Sequence, residues 1–67
     1  MKQPYFRMSF RCDTAAFEKF PDVEISRILD VVAQKITNGK DEGAIMDVCG
    51  NKVGEFYFTR PPQDEEN

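Results

Sequence analysis

The chain has 67 residues, 40% of them apolar including six Phe, and a net charge of −3. That describes one domain near the lower size at which a core suffices for folding, and excludes wholesale disorder. The negative balance runs against general nucleic-acid binding, which draws on Lys and Arg to displace counterions, and suits a basic protein surface or simple solubility.

No apolar run approaches the roughly 20 residues that span a bilayer. The segment "MKQPYFRMSF" carries charge where a signal peptide needs an apolar core, so the expected location is the cytosol.

"YFRMSFRC", residues 5–12, alternates with period two. Phe6, Met8, Phe10 and Cys12 fall on one face and Tyr5, Arg7, Ser9 and Arg11 on the other, the pattern of a half-buried strand. "DTAAFEKF" reads as a short helical turn or a loop. Pro21 then marks a helix start, since its missing N–H costs nothing in a first turn. Ile25, Ile28, Leu29, Val32, Ala33 and Ile36 form an apolar stripe at helical spacing, with Glu24, Arg27, Asp30, Gln34 and Lys35 mainly opposite. Asp22 and Glu24 in the first turn and Lys35 in the last suit the helix dipole. Phe20 is placed to fold back on Ile25 as a hydrophobic staple, and Asn38–Gly39 ends the helix.

"KDEG" reads as a charged connector, and "AIMDV" and "VGEFYFTR" as strands around a "CGNK" turn whose Gly50 and Asn51 tolerate positive φ. In the last strand Gly54, Phe56 and Phe58 share one face, opposite Val53, Glu55, Tyr57 and Thr59. "PPQDEEN", residues 61–67, reads as a flexible acidic tail beyond a single domain of residues 1–60.

The fold class is therefore α+β in the order β-α-β-β, with one helix packed on a three-stranded mixed sheet. The aromatic third strand is central, giving strand order 1-3-2 with the first two strands pointing the same way. Cys12 and Cys49 then lie two strands apart, about 10 Å, beyond the ~7 Å Cα limit for a disulfide, and are expected to be free thiols.

Catalytic signals are weak. The chain has no His, no phosphate-binding glycine loop and no nucleophile motif. No cofactor or metal is implied, and the expectation is a non-enzyme. Asp47 is expected to accept hydrogen bonds from backbone N–H groups of the turn after it. Tyr5, Arg7, Arg11 and Tyr57 on the open sheet face resemble a base-stacking platform, but Glu55 is expected to pair with one of the arginines. The stronger signal is anionic: of twelve carboxylates, Asp13, Glu18, Asp22, Glu24 and Asp30 occupy the approach and outer face of the helix. On a rigid helix such a set suits a cationic groove, with Phe17 or Phe20 as an apolar anchor if exposed. Otherwise it is a solvated face.

Residues 25–56, "ISRILDVVAQKITNGKDEGAIMDVCGNKVGEF", resemble small phage and prophage proteins with an "ARIL" helix, an "NG" stop and a D-x-N-G-N-x-V-G hairpin followed by an aromatic. Arg27, Ile28, Leu29, Asn38, Gly39, Asp47, Gly50, Asn51, Val53, Gly54 and Phe56 match that pattern, and Cys49 departs from it. In size and charge the chain most resembles small acidic anti-CRISPR proteins. The resemblance implies a host-directed inhibitor that binds a type I CRISPR surveillance complex through a DNA-mimicking surface and blocks target DNA. The alternatives are a small nucleic-acid-binding module using the open sheet face, or a structural or oligomeric phage accessory protein. The expected state is a monomer with a weak dimer as the variant.

Overall fold

The computed structural model describes residues 3–60, so the expected tail at 61–67 lies outside the described residues. The elements are β1 (Tyr5–Phe10), a 3-10 turn (Ala15–Phe17), α1 (Pro21–Thr37), β2 (Glu42–Met46) and β3 (Lys52–Thr59). The sheet order is β1-β3-β2, with one helix on one face. The sheet is antiparallel and not mixed: β1 and β2 point the same way, but each pairs only with the oppositely directed β3.

Pro21 occupies the first turn of α1, and the last turn closes as the sequence anticipates. Gly39 adopts φ 95°, its N–H donates to Ile36 O at 3.0 Å, and the Lys40 N–H donates to Lys35 O at 3.0 Å. These two reverse bonds satisfy carbonyls that the helix leaves open, and the left-handed residue between them is one a glycine adopts without penalty.

The core consists of Phe17, Ile28, Val32, Ile45, Val53 and Phe56, with Met8, Phe10, Ala16, Ile25 and Ile36 packed around it. Phe56 is only 1% exposed; full burial of such a ring contributes about 2–3 kcal/mol. The helix buries Glu24, Ile28 and Val32, so the inward stripe is rotated from the expected one and Leu29 is left half exposed. Phe20 does not staple onto Ile25. It is 66% exposed at the N-cap, while Phe17 fills the space under the helix start.

Two sheet details differ from the sequence reading. β2 starts at Glu42 and ends at Met46, because Asp47 turns inward to organise the loop and Gly43 admits the Phe56 ring against the strand. A Cβ on Gly43 would lie 2.8 Å from that ring. The register also shifts between Ile45 and Met46, whose partners are Gly54 and Lys52, leaving Val53 with no residue opposite on β2. One extra residue reverses the facing of what precedes it, and Val53 is buried instead of sharing the open face.

Candidate functional site

The turn between β2 and β3 is built around the Asp47 carboxylate, which is 3% exposed. It accepts from the Thr14 hydroxyl at 2.7 Å, from the Cys49 and Asn51 N–H groups at 2.9 and 2.8 Å, and from Asn51 Nδ2 at 3.0 Å. The Thr14 hydroxyl most of all, then the Asn51 and Cys49 donors, hold its pKa down to about 2 against the opposing effect of burial. Both oxygens are engaged, which fits the expected turn-making role and leaves no lone pair directed at a ligand. Cys12 and Cys49 are exposed and unbridged.

The five acids of the helix approach do not form one uniform set. Asp13 is exposed and pairs with Arg11 Nε at 3.0 Å. Glu24 must be removed from the outward-facing group, because its carboxylate lies under the helix and is 6% exposed. It accepts from Arg27 Nε and Nη2 at 2.9 and 2.8 Å and from the Val48 N–H at 2.9 Å. The Arg27 hydrogen bonds hold its pKa below the ordinary value, against burial, and Val48 helps. Arg27 also donates to the Met46 carbonyl at 3.1 Å. The pair is a clasp joining the helix to the end of β2.

Glu18, Asp22 and Asp30 remain exposed, and none belongs to an ion pair among the described residues. Glu18 ends the 3-10 turn, and Asp22 lies in the first turn of α1, where one of its oxygens accepts from the Val23 N–H at 3.1 Å. At 100° per residue Asp22, Ser26 and Asp30 run along one side of the helix, within about 80° of each other and about 12 Å end to end. Between Glu18 and Asp22 stands Phe20, and beside Asp22 is Val23, 64% exposed. The sequence signals the acids. It does not signal the exposure of the two apolar side chains; of the two phenylalanines before α1, Phe17 in the 3-10 turn is the buried one.

The sheet face away from the helix carries Tyr5, Arg7, Ser9, Glu42, Glu55 and Tyr57. The Tyr5 and Tyr57 rings are 6.3 Å apart, and the Arg7 guanidinium lies 6.0 Å from the Tyr5 ring centre. Glu55 stands opposite Ser9 and pairs with Lys52 at 3.7 Å, so the expected ion pair with an arginine is not made. Arg7 has no carboxylate partner among the described residues. Among those residues no group of three or more His, Cys, Asp or Glu is assembled as a metal site. Among the described residues no helix is long and apolar enough to cross a membrane.

No family model, curated protein or solved structure matches the chain.

Proposed function

We propose that the chain is a non-enzymatic binding protein that presents the start of α1 to a basic groove on another protein. The observation that carries this reading is Phe20, 66% exposed at the helix cap and flanked by the carboxylates of Glu18 and Asp22, neither in an ion pair among the described residues, with exposed Lys19 the one opposing charge beside it. Exposed aromatics at fixed positions supply the apolar anchor of an interface, and surrounding charge mainly of one sign supplies steering and selectivity. Glu18, Asp22 and Asp30 are the acids of this surface. Glu24 serves the fold, and Asp13 is neutralised by Arg11.

In the specific form implied by the chain's resemblance in size and charge to small acidic anti-CRISPR proteins, the partner is a type I CRISPR surveillance complex in the host cytosol. The acids take the place of nucleic-acid phosphates in its Lys- and Arg-rich channel. The test is competition between the full chain and target DNA for the purified complex. Displacement of DNA is expected, with loss of at least about tenfold in potency for Phe20→Ala and for the triple variant Glu18→Lys, Asp22→Lys, Asp30→Lys. Undiminished inhibition by both variants would discard the acidic surface, and no displacement by the wild type would discard this partner.

A second reading is favoured by Arg7, which lacks a carboxylate partner among the described residues next to the Tyr5–Tyr57 pair. It predicts salt-sensitive binding of single-stranded DNA by the pure protein, abolished by Tyr57→Ala.

A further inference from the structure

The two outer strands of the sheet are treated differently. At the β2 border, the strand is short and its register breaks between Ile45 and Met46. The next backbone groups are already occupied, the Met46 carbonyl by Arg27 and the Val48 N–H by Glu24. These are the devices that keep a strand edge from recruiting another strand. Within β1, by contrast, "YFRMSF" contains no proline, lysine or glycine, with Arg7 its one charge and Pro4 just before it; its pairing with β3 is unbroken, and no described strand pairs with its outer border.

Which backbone groups β1 offers follows from two hydrogen bonds at the ends of the ladders. The Arg11 N–H donates to Val53 O at 2.9 Å, in line with the β1–β3 register. The Phe58 N–H donates to Asp41 O at 2.7 Å, in line with the β2–β3 register. Central β3 therefore directs its odd-numbered residues to β1 and its even-numbered residues to β2. By antiparallel alternation the odd-numbered residues of β1 are bonded to β3, and Phe6, Met8 and Phe10 point their N–H and C=O groups outward. The same three side chains lie on the helix side of the sheet, where Phe6 is 46% exposed. Leu29, 49% exposed, lies on the flank of α1 opposite Arg27, Val31 and Lys35, which line the groove against β2.

From this border we infer that β1 is the contact between two copies of the chain, paired antiparallel about a two-fold axis at Met8 to give one continuous six-stranded sheet. A second copy fits because the register is self-complementary. Centred on Met8, Phe6 faces Phe10 of the other copy, Tyr5 faces Arg11 and Arg7 faces Ser9, with the outward groups of Phe6, Met8 and Phe10 meeting one another. Neighbouring registers that keep the apolar faces together set Arg7 against Arg7, or Arg7 against Arg11, and like charges directly opposite are unfavourable. An isologous contact of this kind also covers Phe6 and brings the two Leu29 flanks to the same side.

The experiment uses the full chain with Cys12→Ser and Cys49→Ser. Sedimentation equilibrium is expected to show a reversible dimer, and Phe6→Lys a monomer with an unchanged circular dichroism spectrum. In the inferred register Arg7 and the other copy's Ser9 form a non-hydrogen-bonded pair with Cα atoms about 4.5 Å apart, within disulfide range. An equal mixture of Arg7→Cys and Ser9→Cys chains is therefore expected to cross-link on oxidation, and neither alone. A monomer at every concentration up to about 1 mM overturns the contact. Cross-linking of Arg7→Cys alone, or none in the mixture, overturns the register. If Phe6→Lys fails to fold, the cysteine pair decides.

Discussion

Replacing Asp47 by Asn preserves the side chain's shape and removes an acceptor on which the Thr14 hydroxyl and the Asn51 amide both depend. Because the folded pKa, about 2, lies below the ordinary 3.8, the carboxylate stabilises the fold fully above the ordinary value. That contribution is lost as pH falls from the ordinary value through about 2. The wild-type urea midpoint is expected to decline over that acid interval, with Asp47→Asn lower at pH 7 and shallower in acid. Gly54 is constrained by contact and not by torsion. A Cβ there would collide with the Ser9 carbonyl oxygen and lie 2.6 Å from the Phe10 Cβ. Gly54→Ala should cost about 3 kcal/mol, a large share of what so small a domain holds, read as a lowered urea midpoint. Asp47's role was legible, since Asp before a Gly–Asn turn has few other uses. Gly54's requirement was not, because it depends on which strand lies beside it.

At the scale of elements, the Glu24–Arg27 pair decides where α1 sits. Glu24→Ala leaves the Val48 N–H and the Arg27 guanidinium without their buried acceptor, with an expected loss of about 2 kcal/mol. Faster hydrogen exchange at Val48 would locate the damage. Adding Arg27→Ala should cost less than the sum of the two single changes, since both remove one connected network. An acid in a first helical turn reads as a partner for the helix dipole or for Arg27 three residues on, and the Val48 N–H that completes the clasp lies 24 residues away, so that half of it left no sign in the pattern. The helix limits were legible from Pro21 and Asn38–Gly39, and the central place of β3 from its aromatics. Val53 was misread because a one-residue irregularity in the ladder inverts a period-two pattern and leaves no mark in composition.

For the molecule as a whole, the surface proposed for binding can be separated from the core. Phe20→Ala removes a ring that is two-thirds exposed and should change stability by no more than about 0.5 kcal/mol, read as an unchanged urea midpoint. A large loss of stability would mean that Phe20 serves the fold. The overall architecture was readable because each element carries its own boundary signals. The candidate surface was only half readable: charge is a property of residue type, whereas which of Phe17 and Phe20 is exposed depends on the fold.

The clasp on the far strand has a further consequence for assembly. With the Met46 carbonyl and Val48 amide already occupied, that margin has only the Glu42–Ala44 stretch left to offer, so in the proposed dimer the two outer borders are shorter than the one that is joined. Further growth by strand addition is thereby disfavoured, which works against polymerisation of an aromatic-rich sheet into fibres.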